Sequence, residues 1–198
     1  MLNDLLRTCE FIAKRNLCPA TAGNFSIREN DKMRMSASGK DKSELTANDF
    51  VVCDFNGHLL SGEGKPSAEA ALHGMIYQLS PSTLCVLHTH SVAVTVLSML
   101  PDTDNKLIFQ DYEMQKTISG FDTHESILEL MVFDNNQDIP MLAKQVKDSW
   151  DDVKKVSGLV VRGHGLYSWG NSVFDAKRHM EGLEFLVECE LQRKRLLK

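Results

Sequence analysis

The sequence predicts an α/β protein of three layers, α/β/α, with helices on both sides of a central, mainly antiparallel sheet. Three observations predict it. Two short hairpin patterns lie in the first third of the chain, a strand running into a histidine turn and a helix occupies the middle, and a long amphipathic helix ends the chain. The 198 residues, 42% hydrophobic and 25% charged, suit one ordinary globular domain spanning 1–198. A chain of this length buries a sizeable core without help from a metal or disulfide, so a metal site here would point to chemistry.

Leu2, Leu5, Leu6, Cys9, Ile12 and Ala13 follow helical spacing, and Cys18-Pro19 ends that first helix. Residues 25–27 and 33–35, either side of a polar stretch, form the first hairpin, and residues 51–55 and 59–60 around Asn56-Gly57 form the second. Pro66-Ser67 opens a helix with Ala71, Leu72, Met75, Ile76 and Leu79 on one face, Ser67 serving as N-cap. Residues 84–87 read as a buried central strand, and residues 92–100 as the helix after it. Residues 106–110, 127–133 and 159–161 are further strands, with 138–153 helical between the last two. Val173, Ala176, Met180, Leu183, Val187 and Leu191 mark the face that the final helix lays across the sheet.

A net charge of −5, with basic residues spread along the chain, gives no reason to expect the concentrated positive surface that nucleic acid or an anionic membrane would need. Arg193-Lys194-Arg195 complements the dipole at the end of the last helix. Five scattered cysteines without a C-x-x-C pair indicate free thiols in a reducing compartment. The first residues lack the pattern of a signal peptide, and the most apolar stretch, 84–100, is too polar to span a bilayer, so a cytoplasmic location is expected.

Seven histidines are present, and two of them sit in Leu87-His88-Thr89-His90-Ser91 directly after the central strand. In extended backbone, residues two apart point the same way, so both imidazoles can reach one ion. His164, in Arg162-Gly163-His164-Gly165, also follows an apolar strand, with glycines that permit a tight turn. Three neutral imidazoles with an open fourth position form a catalytic zinc pattern. Spacing alone leaves a second reading open, in which these are strand-end and turn residues at the surface. His73 reads as a core residue, and His58, His124 and His179 as structural or solvated.

Thr21-Ala22-Gly23-Asn24, Ser36-Ala37-Ser38-Gly39-Lys40 and Gly62-Glu63-Gly64-Lys65-Pro66-Ser67 combine hydroxyls, free amides and glycines that could cradle a phosphate. Each is also ordinary turn composition, and their weight is collective.

Taken with His88-Thr89-His90-Ser91 and Gly163-His164-Gly165, these loops and Lys65-Pro66-Ser67-Ala68-Glu69 resemble the class II aldolase and adducin family over nearly the whole chain. The resemblance implies that family's α/β/α fold and one divalent metal per subunit, usually zinc, on His88, His90 and His164. It also implies a sugar-phosphate substrate held at its phosphate by Asn24, Ser38, Gly39 and Ser67. A homo-oligomer, a tetramer with sites between subunits, is expected on the same ground. The 109–116 and 162–170 stretches and Pro140 are most similar to the family's sugar-phosphate dehydratases of methionine salvage, in which the glutamate matching Glu113 is the acid/base. Glu69 matches a proton-handling glutamate of the family's aldolases, although an acidic residue in a first helical turn is favourable by itself. Aldolase or epimerase chemistry is the nearest alternative. A non-enzymatic adducin-like module is disfavoured, since such modules usually lack the zinc histidines.

Overall fold

The computed structural model describes residues 1–197. The elements in chain order are α1 (Leu2–Lys14), β1 (Asn24–Glu29), β2 (Lys32–Ser36), β3 (Phe50–Cys53), β4 (Leu59–Ser61) and α2 (Ala70–Leu79). Next come β5 (Cys85–Thr89), α3 (Val92–Ser98), β6 (Lys106–Phe109), β7 (Leu128–Phe133), α4 (Ile139–Asp148) and α5 (Trp150–Val153). The chain then forms β8 (Gly158–Val161), β9 (Gly165–Gly170) and α6 (Val173–Leu196), with a 3-10 turn at Glu113–Thr117 between β6 and β7.

The sheet order is β4-β3-β2-β1-β5-β9-β8-β7-β6. Only β7 and β8 pair in parallel, across the α4–α5 crossover, and the other neighbours are antiparallel. The expected three-layer arrangement is therefore the observed one. Along β5 the side chains alternate: Cys85 and Leu87 join the core under α1, α3 and α6, while Val86 joins the core under α2, α4 and α5. The strand is buried on both faces, as its apolar run requires.

The last helix is the longest element, and Val173, Ala176, Met180, Leu183, Val187 and Leu191 are all buried beneath it. Each large aliphatic side chain so buried contributes roughly 1.5–3 kcal/mol. Ser172 caps its start by accepting the Asp175 amide, and Arg193, Lys194 and Arg195 fill its last turn.

Three local features differ from the sequence reading. Helix α2 starts at Ala70 rather than at Pro66-Ser67, and Ser67 does not cap it: its Oγ accepts hydrogen bonds from Asn24 and from the Glu69 amide. The 138–153 segment is two helices, broken at Ser149, with Asp138 as the N-cap accepting from the Met141 amide. Strand β9 is the element that the pattern concealed. All six of its residues are buried, so it shows no polar alternation, and a glycine stands at each end.

Candidate metal centre and active site

The β5–β9 pairing builds the site. Its register sets His88 opposite Tyr167 and Thr89 opposite Leu166, so the β8–β9 turn carrying His164 comes down beside the end of β5. Gly165 makes this approach possible. A methyl group there would lie 2.0 Å from the Thr89 carbonyl oxygen and 3.0 Å from His88 Cε1. Arg162 fixes the same turn from behind, donating from Nη1 to the carbonyls of Ser98 (2.6 Å) and Thr103 (3.0 Å), and from Nη2 to Asp104 (2.7 Å).

The three histidine rings converge. Their centroids are 4.5 Å (His88–His90), 5.0 Å (His88–His164) and 4.6 Å (His90–His164) apart. One nitrogen from each lies within 4.8 Å of the others. His88 is fully buried, stacked on Tyr167 with centroids 3.9 Å apart, and its Nδ1 is 3.0 Å from the Leu166 carbonyl. A carbonyl only accepts, so Nδ1 carries a proton, and Nε2 is turned inward, 3.3 Å from His164 Nε2. Three imidazole nitrogens gathered at this spacing suit a divalent cation between them, and the carbonyl partner of His88 is the outer-shell support that metal-ligating imidazoles use. Burial, reinforced by His88 and His164, pushes His90 down to about 3, which keeps it neutral as a ligand must be.

Glu69 reaches the same point from the N-terminus of α2. Its Oε1 is 2.9 Å from His164 Nε2 and 3.5 Å from His88 Nε2. Burial opposes its charge, but His88 and His164 outweigh that penalty and hold the carboxyl well below the usual carboxylate range. Asn24 donates to the other oxygen, Oε2, and its amide also reaches Ser67 Oγ at 3.1 Å. Behind this layer His73 is fully buried, with Nδ1 2.8 Å from Ser26 Oγ, and burial together with His88 pushes it down to about 3. It is a neutral core residue, as the sequence reading had it.

Asn24, Ser38, Gly39 and Ser67 line one cavity of about 200 Å³ together with Glu69, His90 and His164. Three loops far apart in sequence thus meet at the histidines. A larger cavity, about 550 Å³, lies elsewhere between α3 and α6, and none of the three histidines lines it.

Glu113 is not in this group. Its side chain is 70% exposed on the 3-10 turn, paired with Lys116 at 2.6 Å and 3.7 Å from His124 Nδ1. The Lys116 hydrogen bond lowers its pKa.

The sequence reading passed over Lys42, Arg162 and Tyr167. Lys42 works through backbone carbonyls, which carry no residue signature, Arg162 through three such carbonyls and the Asp134 carboxylate, and Tyr167 lies on the concealed strand. Thr89, between the two histidines, faces the opposite side and donates to the buried Glu184 of α6 at 2.6 Å. Among the described residues, no helix is long and apolar enough to cross a membrane.

Comparison with known proteins agrees with this architecture. The methylthioribulose-1-phosphate dehydratase of Yersinia enterocolitica serotype O:8 is 49% identical over 197 residues, which cover 98% of this chain and 93% of the relative. That of Serratia proteamaculans is 47% identical, covering 98% and 96%. A solved structure, L-fuculose-1-phosphate aldolase from Thermus thermophilus, superposes with a TM-score of 0.78 over 98% of this chain and 94% of that one, at 21% identity, a likeness of fold. The family profile described as the class II aldolase and adducin N-terminal domain matches residues 3–191. The chain belongs to the class II aldolase and adducin family.

Proposed function

We propose that the protein, as one domain over 1–198, is a zinc-dependent lyase. It dehydrates 5-methylthioribulose 1-phosphate to 2,3-diketo-5-methylthiopentyl 1-phosphate in methionine salvage. The carrying observation is the convergence of His90, His164 and Glu69 with Asn24, Ser38, Gly39 and Ser67 on one cavity, with the buried His88 completing the histidine cluster beside it. Relatives at 47–49% identity that bear the dehydratase name support the choice of reaction.

In this reading His88, His90 and His164 hold one zinc ion per subunit. The bound ion supplies Lewis-acid polarisation of the C2 carbonyl, which acidifies the C3 proton. The amide of Asn24, the hydroxyls of Ser38 and Ser67 and the backbone of Gly39 grip the phosphate, so the reacting carbons are placed at the histidine end. Glu113 takes the C3 proton, the C4 hydroxyl leaves as water, and the enol formed regains a proton at C4 to give the diketone. An exposed Glu113 meets a site that it does not line when it serves the cavity of a neighbouring copy. A homotetramer with shared sites, as the family resemblance implies, provides that arrangement.

One observation favours a second reading, aldolase or epimerase chemistry: Glu69 already touches two of the three imidazoles, whereas Glu113 touches none. Incubating the zinc-loaded protein with 5-methylthioribulose 1-phosphate separates the two. Appearance of the diketone with loss of one water supports dehydration, and cleavage between C3 and C4 supports the aldolase reading. In the same assay His88→Ala, His90→Ala and His164→Ala should each lose most of the zinc and the activity while the circular dichroism stays that of the parent. Normal zinc content in any variant removes that histidine from the set.

A further inference from the structure

The cavity has a charge imbalance. Its lining contains no lysine or arginine, and its one acidic side chain, Glu69, repels an anion. The groups assigned to the phosphate, Asn24, Ser38, Gly39 and Ser67, are all neutral. Lys42 is bonded to the backbone of two of the same loops. It is 2% exposed, and its ammonium donates to the carbonyls of Thr21 at 2.9 Å and Lys40 at 2.6 Å. These two residues flank the loops that wall the cavity at residues 21–24 and 37–39.

No carboxylate among the described residues pairs with this buried charge. The nearby acids are engaged elsewhere: Asp41 accepts from the Ser43 amide and hydroxyl, and Asp49 pairs with Lys40 at 2.9 Å. Two carbonyls satisfy two of the ammonium's three donors, and a buried ammonium with no carboxylate in direct contact is costly. Burial lowers the pKa of Lys42, with Cys18, Cys9 and, least of the three, Asp41 acting in the opposite direction.

We infer that Lys42 is the positioning residue for the substrate's phosphate, tying the 21–24 and 37–40 loops together and supplying the buried positive charge that the neutral cradle lacks. The inference rests on the reading of this cavity as the phosphate end of the site. A dianion in the cradle would be attracted to this charge through the loop backbone that Lys42 binds, where the low local dielectric strengthens the attraction.

The test compares wild type with Lys42→Gln and Lys42→Met, all zinc-loaded. Glutamine retains a donor for the two carbonyls and loses the charge, and methionine loses both. The Ki of inorganic phosphate and the KM for the phosphorylated substrate should rise together by about tenfold in both variants. The kcat should move far less, and affinity for unphosphorylated 5-methylthioribulose should stay put. If Lys42→Gln binds inorganic phosphate as wild type does, the lysine is only a loop strut and the inference falls. If wild type itself does not bind inorganic phosphate, the phosphate reading of the cavity falls, and the inference with it. Should neither variant fold, wild type still decides: the 15Nζ resonance of Lys42 should shift on saturation with inorganic phosphate, and an unmoved resonance overturns the proposal.

Discussion

At the scale of single residues the two glutamates are the informative pair. Glutamine at position 113 keeps size and hydrogen bonding but cannot accept a proton, so Glu113→Gln should lower kcat for diketone formation by roughly 10²–10⁴ while zinc content and KM hold. A surface carboxylate with no such role would change stability by less than about 0.5 kcal/mol and leave turnover alone. Glu69→Gln is the paired measurement. Because Glu69 leans on His88 and His164, its loss should alter zinc affinity as well as rate. If turnover dies with Glu69 and survives without Glu113, proton handling belongs to the aldolase type. Spacing alone left the histidines and the loop residues with a second reading, and it was the family resemblance that singled them out as one group; the structure brings them together. Lys42 and Arg162 were not legible in the sequence, since a cation bonded to backbone carbonyls is recognisable only once those carbonyls are placed.

At the scale of elements, helix α2 shows how tertiary contact overrides local preference. Gly74 lies in its middle, where alanine would ordinarily stabilise by about 1 kcal/mol. Here a methyl group would meet the Phe55 carbonyl oxygen at 1.8 Å, so the helix would have to move off the loop after β3. We expect Gly74→Ala to destabilise by about 1–3 kcal/mol in urea titration, the reverse of the helix-propensity sign. A stabilised variant would show that α2 can move freely. The start of α2 misled the sequence reading for a related reason. Pro66-Ser67 has the composition of a helix start, but the Ser67 hydroxyl is drawn to Asn24 and leaves Glu69 to begin the helix beside the histidines. Strand β9 was hidden because a segment buried on both faces loses the alternation that identifies strands.

At the scale of the molecule, the separation of Glu113 from the cavity predicts complementation between chains. In the proposed reading a His88→Ala chain lacks a working metal centre, and a Glu113→Gln chain lacks the proton carrier. Unfolded together and refolded, the two should form hybrids in which one chain's Glu113 serves the other's histidines, and activity absent from either parent should return. Sedimentation should show an oligomer throughout. A fully active monomer, or a mixture as inactive as its parents, would place Glu113 outside the site. The layered fold itself was readable from hairpins, a buried strand and a final amphipathic helix, because each pattern determines which face must be covered.

The position of β5 in the middle of the sheet has a consequence for biogenesis. It pairs with β1, which precedes it by about sixty residues, and with β9, which follows by about eighty. During synthesis, His88 and His90 leave the ribosome well before the turn that brings His164, and loop closure over that distance has to precede the final pairing. The three imidazoles therefore meet only after β9 has docked, so the nascent chain has no complete cluster, and any ion the cluster holds would be loaded late. Two imidazoles waiting on an unpaired strand edge bind a divalent cation weakly, and the order of the sheet thereby delays selection of the metal until the cavity that shapes it exists.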